Sequence, residues 1–475
     1  MEYCASITEE TLAELVAQVG DGVVDTDPVR VRQLSHDMSI RTMKADLVAD
    51  KPIGLGQVVV SPTTTAQVAS LMRWATRHQV PVVPRGLGSG VVGAGVPVKG
   101  GVIIDLAGLA DVSEVDPINR TVTVGAGKNL GDLDNELKPL GLSLGHYPQS
   151  LYLTSVGGAI VMKGSGTFSS LYGDIEDRVG ELEFVLPTGE VVQTHAMPRS
   201  ATGPDLRQLL IGSEGMYGVI THVTLKLVPV PADRRFASVG FDNFQAALDT
   251  CREILLTGVR PAVVRIYDPV ESAAGHAKFA ATPGWLLILA FDGDARLTEI
   301  QEQIALDIAA SHGGESLGPQ PGIHWEQRRF NWSWATDYDE QVGGIADSIE
   351  VTASWTQLNE LYERCKAAIA PSIMSQFMAH VSHVYDQGAG IYMIFGGVFA
   401  DEQTAIDAYD RAWATVMEEA LAIGALIGHH HGVGMERAPW VERALGSNAL
   451  DLLRTVQKSI DPAGIMNPGK WASQA

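Results

Sequence analysis

Between two runs of β-prone residues this chain places a loop with more glycine than an ordinary connection needs. Val80, Val82 and Val83 form the first run, and Val102, Ile103, Ile104 and Leu106 the second. Between them stand Gly86, Gly88, Gly90, Gly93 and Gly95. Without Cβ atoms, successive backbone N–H groups can close around an anion. Gly88, Gly90 and Gly93 have G-x-G-x-x-G spacing. In a Rossmann site a helix opens directly after that motif. Pro97 and the Gly100–Gly101 pair prevent one here, and a β-run follows. Spacing alone leaves two readings level: a strand–loop–strand diphosphate cradle and a mobile glycine loop.

The chain has 475 residues, more than one core usually spans, so two domains are expected. Apolar residues make up 45%, in keeping with a globular chain. No apolar run reaches the ~18 residues of a membrane span. The acidic start, MEYCASITEETLAELV, lacks a signal peptide's basic region, so a cytoplasmic enzyme is expected. The formal charge of −22 argues against nucleic-acid and anionic-lipid partners. It still permits an anionic small-molecule substrate held by a few buried arginines. Cys4, Cys251 and Cys365 are too few and too scattered for a disulfide framework or a metal motif. A homodimer is left open.

Residues 7–50 read as helical and irregular, with a weak capping box from Thr8 to Thr11 and a stop at Gly20. Val58–Val60 reads as a strand; Val68, Leu71, Met72 and Ala75 then mark one helix face. A strand is expected at 121–127 and a helix over 130–140. Pro148 to Gly166 is a long polar, glycine-rich loop. Residues 228–234 read as a linker. Beyond it, helices are expected over 244–256 and 299–312, and strands over 285–291 and 391–399. That alternation suits an α+β cap over an antiparallel sheet.

PRGLGSG at 84–90, followed by VPVKGGVIIDL, closely resembles the diphosphate loop of the FAD-linked oxidases, the vanillyl-alcohol-oxidase and D-lactate-dehydrogenase type of flavoprotein. The resemblance implies an α+β fold in which a two-subdomain FAD-binding domain carries an α+β cap with an antiparallel sheet. Residues 1–230 would form the FAD-binding domain and 231–420 the cap. Residues 421–475 would return to the FAD-binding domain, as the Asn467-Pro468-Gly469-Lys470 signature implies. The cofactor would rest on Pro84, Arg85, Gly86, Leu87, Gly88, Ser89 and Gly90. It would continue along Pro148, Ser150, Thr154, Ser155, Gly157, Gly158, Ser165 and Gly166, then Glu214, Gly215, Val219 and Ile220. No His stands in 85–95, so the FAD is expected to be noncovalent.

Trp325 to Phe330, DSIEVTASW at 347–355, HVYDQGAGIYMIFGG at 383–397, YGDIEDRV at 172–179 and a triple histidine together resemble the alkylglycerone-phosphate-synthase branch. That implies active-site places for Arg265, Arg329 and Tyr392. Read as residues alone, Arg265 in PAVVRIYD could equally be a strand arginine on a solvated face. Arg329 could be a surface cation on aromatics, and Tyr392 a core tyrosine.

His429, His430 and His431 are framed by Gly428 and Gly432. In an extended segment, His429 and His431 would share one side and His430 the other. Metal-dependent D-2-hydroxyacid dehydrogenases of this superfamily use a His, a second His seven residues on, and a Glu before His-Gly. Those places hold His383, Gly390 and His430, so no metal is expected. Imidazoles that titrate near ~6.5 are left for acid–base work.

The expected activity is FAD-dependent oxidation of a hydroxyl-bearing, anionic substrate such as a 2-hydroxy acid. Arg265 and Arg329 would hold the anion, and the base would come from the histidines or Tyr392. A redox-neutral alkylglycerone-phosphate-synthase-like transferase is the alternative, and a nonenzymatic flavin-binding protein the third.

Overall fold

The structure is a computed structural model that describes residues 7–195, 198–276, 284–330 and 342–472. Cys4 lies outside the described residues. Three sheets of four or more strands organise the described residues, and a two-stranded ribbon pairs Val228–Pro229 with Leu142–Ser143.

In the first sheet, Val58–Val60 and Val82–Arg85 run parallel to Val102–Asp105 on either side of it, and Val24–Asp25 closes one edge antiparallel. Thr64 caps the helix Thr65–His78 by accepting from Gln67 N–H. Val68, Leu71, Met72 and Ala75 are buried on the expected face, and Trp74 with them. Thr8 and Thr11 form the anticipated capping box.

The second sheet is antiparallel, in the order Val112–Asp116, Thr121–Gly125, Val219–Lys226, Val179–Val185, Val191–Gln193. Val219 and Ile220 are core residues of it, each under 3% exposed. The Pro148–Gly166 stretch is not all loop. Ser155 caps a short helix, Val156–Val161, through Gly158 N–H. Sequence reading missed it because two glycines dilute its apolar pattern.

The third sheet has seven antiparallel strands, ordered Glu315–Gly318, Asp233–Phe241, Trp285–Gly293, Val263–Tyr267, Gln376–Tyr385, Gly388–Val398, Gly344–Ser354. Strand alternation sorts its residues into two layers. Leu287, Leu289 and Phe291 join the main core with helices Phe244–Leu256, Leu358–Ile369 and Glu402–Ala422. Leu286, Ile288 and Ala290 pack instead with Phe168 and Trp325, and with Tyr147 beside them. The second layer therefore faces segments that precede the cap in sequence.

The chain's end folds back onto its start. Met466 bridges Val82, and Asn467 N–H donates to Val82 O at 2.8 Å. The buried Lys470 ammonium donates to Val96 O at 2.7 Å. Among the described residues no helix is long and apolar enough to cross a membrane.

Candidate active site

Alternation also decides which side chains the third sheet offers to the site. Val264 and Ile266 belong to the main core, which turns Arg265 and Tyr267 the other way. By the same count Ile349 and Val351 point to the core and Glu350 away from it. Ile391 and Met393 do so around Tyr392, and Ala379 and Val381 around His380. Regular pleating would next send His383 into the core. A register shift between Val381 and His383 turns it back onto the site face. Register pairs Tyr392 with both His380 and Glu350, so these groups sit side by side.

Arg265 is thus not on a solvated face. It is 6% exposed, and its Nε donates to Tyr267 Oη at 2.7 Å. Its charge acts on Tyr392, His380 and His383. Arg329 lies among four aromatic rings, with Tyr147, Phe168, Trp325 and Phe330 centred 4.5 to 5.7 Å from its guanidinium carbon. Burial pulls it down to about 10, which leaves it charged at neutral pH. Thr167 Oγ1 accepts from it at 2.8 Å. Trp325 stands between the two cations, 5.8 Å from Arg265 and 5.7 Å from Arg329. Among the described residues neither arginine has a carboxylate at ion-pair distance.

The three histidines do not alternate as an extended strand would. Their backbone N–H groups converge on one oxygen, Glu350 Oε1, at 3.2, 3.2 and 2.9 Å. Glu350 Oε2 pairs with His431 Nδ1 at 2.8 Å and with Arg437. Burial opposes a charge at Glu350, but Arg437 and His431 hold it well below the usual carboxylate range. Wrapped on this anchor, His429 and His430 meet, Nδ1 to Nδ1, at 2.8 Å. His430 Nε2 lies 2.7 Å from Tyr392 Oη. His429 Nε2 lies 2.8 Å from Tyr385 Oη, which donates to Asp174 at 2.9 Å. Burial lowers the basicity of His383, His429 and His430 and raises the Tyr392 phenol. One ring nitrogen from each of His383, His429 and His430 lies within 4.8 Å of the other two.

The glycine loop follows Pro84 and Arg85 at the end of their strand. A Cβ at Gly86 would run into Ser155 Oγ, and Gly88 has φ of +79° against the Arg85 guanidinium. Ser89 Oγ meets Thr154 Oγ1 at 2.8 Å, and Ser150 Oγ meets it at 2.7 Å. Among the described residues, no hydrogen bond uses the N–H groups of residues 86–90. Arg85 Nε beside them is buried without a partner. Bare donors, an orphaned guanidinium nitrogen and the absence of Cβ atoms fit a diphosphate.

Other expected contacts are spent internally. Gly157 N–H donates to Ala126 O, Gly158 N–H to Ser155 and Gly166 N–H to Ser169. Ser165 Oγ bonds Ser169 and Asp174. The Glu214 carboxylate accepts Val433 and Gly434 N–H at 2.6 and 2.8 Å, which ties down the exit of the histidine segment. Gly215 packs on Pro84. Sequence reading missed Glu350, His380, Tyr385, Asp174 and His146. The alternation in DSIEVTASW and in AHVSHV could have flagged the first two. His146 is buried, among the described residues both its ring nitrogens lack partners, and burial pushes it down to about 4.

Two family models match the chain: FAD binding domain over residues 56–195, and FAD linked oxidases, C-terminal domain, over 230–471. The second spans half of the protein. The chain belongs to the FAD-linked oxidases. It is a flavoprotein of that superfamily near the alkyldihydroxyacetonephosphate synthase branch, and FAD is its cofactor. The alkyldihydroxyacetonephosphate synthase of Caenorhabditis elegans is 27% identical over 97% of this chain and 83% of its own length. The mitochondrial D-lactate dehydrogenase [cytochrome] of Arabidopsis thaliana is 29% identical over 88% of this chain and 74% of its own. A solved alkyldihydroxyacetonephosphate synthase superposes with a TM-score of 0.80 at 24% identity, covering 98% of this chain and 85% of that one. The fold is therefore that of FAD-linked oxidases, with an α+β cap.

Proposed function

We propose that the protein oxidises the hydroxyl of a small anionic substrate, with a 2-hydroxy acid as the leading class. The observation that carries this reading is the pair Arg265 and Arg329 on either side of Trp325. Arg265 is buried and Arg329 half-buried, among the described residues neither has a carboxylate at ion-pair distance, and Arg265 lies within electrostatic reach of the Tyr392–His430 pair. Two desolvated guanidiniums bind a carboxylate or phosphate strongly and orient it. The kinship to a D-lactate dehydrogenase supports the hydroxy acid.

The division of labour follows from placement. Residues 85–90, with Ser150, Thr154 and Ser155, would hold the FAD diphosphate and its neighbouring polar chain noncovalently. Bound FAD supplies the acceptor for the hydride that leaves the substrate carbon. Arg265 and Arg329 fix the anionic end of the substrate, and the aromatic rings around Arg329 keep water from it. The hydroxyl proton goes to Tyr392, backed by His430. No metal enters this reading, because the Nδ1 atoms of His429 and His430 are hydrogen-bonded to each other. We divide the chain functionally at residues 230 and 420, into an FAD-binding part, a substrate-binding cap and a returning segment, in a cytoplasmic enzyme acting on small molecules.

The second reading is a redox-neutral transferase of the alkyldihydroxyacetonephosphate-synthase kind. It is favoured by kinship over nearly the whole chain, and the two arginines suit a phosphate equally well. Anaerobic flavin bleaching by 2-hydroxy acids supports the oxidase or dehydrogenase. Turnover of an acylated dihydroxyacetone phosphate with a fatty alcohol, without bleaching, supports the transferase.

A further inference from the structure

Four hydrogen bonds in series lead from Tyr392 out of the site. Tyr392 Oη meets His430 Nε2 at 2.7 Å, and His430 Nδ1 meets His429 Nδ1 at 2.8 Å. His429 Nε2 meets Tyr385 Oη at 2.8 Å, and Tyr385 Oη donates to Asp174 Oδ2 at 2.9 Å. The Asp174 carboxylate is an acceptor here, since Ser165 Oγ donates to its other oxygen. Asp174 is partly exposed, whereas the adjacent Ile175 is buried.

The donor directions of the series follow from valence. Tyr385 has one proton and gives it to Asp174, so it accepts from His429 Nε2–H. A neutral His429 then presents a bare Nδ1, which can only accept. His430 therefore donates from Nδ1, and its bare Nε2 accepts the Tyr392 hydroxyl proton. Burial keeps both imidazoles neutral, as this assignment requires. His431 stands outside the series because its Nδ1 is taken by Glu350. So does His383, whose Nδ1 bonds Ser382 Oγ at 2.6 Å.

A phenol cannot take a proton unless its own proton leaves, and burial makes a phenolate at Tyr392 more costly still. Building on the hydroxyl-oxidising reading above, we propose that Tyr392, His430, His429, Tyr385 and Asp174 are a proton relay from the substrate hydroxyl to solvent. As the substrate O–H proton moves to Tyr392 Oη, the Tyr392 proton moves to His430 Nε2. The His430 Nδ1 proton moves to His429 Nδ1, the His429 Nε2 proton to Tyr385 Oη, and the Tyr385 proton to Asp174 Oδ2. Five O–H or N–H bonds break and five form. The negative charge passes from the Asp174 carboxylate to the substrate oxygen, and both imidazoles end neutral with their tautomers exchanged. Asp174 then releases the proton to water, and reversal of the two tautomers resets the chain. Tyr392 is the catalytic member; the other four act through it.

The test is ¹⁵N-histidine spectroscopy of the resting, oxidised FAD-loaded protein, which reads tautomers without turnover. The wild type is expected to hold His429 as the Nε2–H form and His430 as the Nδ1–H form. Tyr385→Phe removes the acceptor at His429. It is expected to disturb the tautomer of His430 as well, a residue that Tyr385 does not touch. Turnover should fall roughly 100-fold in kcat with little change in KM. Asp174→Asn cuts the series one link further out and gives the same reading if Tyr385→Phe does not fold. A His430 spectrum unchanged in both variants overturns the relay, as does a wild-type His430 protonated on Nε2, or a stoichiometric divalent metal taking both Nδ1 atoms. Failure of substrate to bleach the wild-type flavin would defeat the oxidoreductase reading instead, and leaves the tautomer result to stand by itself.

Discussion

Glu350 and Arg437 form a buried ion pair beneath the triple histidine, and the same carboxylate gathers the N–H groups of all three histidines. One anchor thus sets the path of the segment that carries the acid–base groups. Glu350→Gln should leave Arg437 as an uncompensated buried cation, at a cost of about 3–5 kcal/mol. Thermal melting of the FAD-loaded protein checks this: the midpoint should drop clearly, and an unchanged midpoint would mean that the pair is not structural.

Arg329→Ala should weaken binding of an anionic substrate by about 2–5 kcal/mol. FAD content should stay at the wild-type level, because Arg329 lies in the aromatic layer bonded to Thr167 and among the described residues makes no hydrogen bond to residues 85–90. Steady-state KM for the acid, read beside the flavin-to-protein absorbance ratio, separates the two effects. Unchanged kinetics would remove Arg329 from the site.

Gly88→Ala should release FAD. The position has φ of +79°, where an L side chain costs roughly 1–2 kcal/mol, and its Cβ would displace the Arg85 guanidinium. The purified variant should be pale and retain its circular dichroism. A fully yellow variant would contradict the cradle.

Asp347 gives a pH signature. Burial, with Glu436 nearby, pushes its carboxyl up to about 7, although Trp413 Nε1–H donates to it at 3.2 Å. The folded state therefore holds a proton that the unfolded chain loses near ~4. Stability from this group is complete below that pH and drains away as pH rises toward 7. Asp347→Asn should lack this loss. The melting temperature of the variant, relative to wild type, should climb between pH 4 and 7; a constant difference would rule out Asp347 as the source.

Much of this was legible in the chain. Pro97 and Gly100–Gly101 exclude a Rossmann helix, and Val82–Arg85 and Val102–Asp105 are indeed parallel strands flanking the loop. Period-two alternation places Arg265 and Tyr392, once it is known which face of the sheet meets the helices. What stayed hidden depends on non-local geometry. His383 reaches the site only through a bulge, which pattern counting cannot foresee. Tyr385 and Asp174 are 211 residues apart. The bend of His429 to His431 answers to Glu350, some 80 residues upstream, so local extended-chain logic put the wrong pair together. A turn motif at Glu214 suggests a flavin-loop residue and does not reveal that its carboxylate accepts the N–H groups of Val433 and Gly434.

The most direct measurement is anaerobic titration of the FAD-loaded protein with D-lactate, glycolate and larger 2-hydroxy acids, followed by the visible flavin spectrum. The account predicts that at least one of these acids bleaches the oxidised flavin band and that Arg329→Ala needs far more of it to do so. A spectrum untouched by every acid, from a protein that turns over an acylated dihydroxyacetone phosphate with a fatty alcohol, would contradict it.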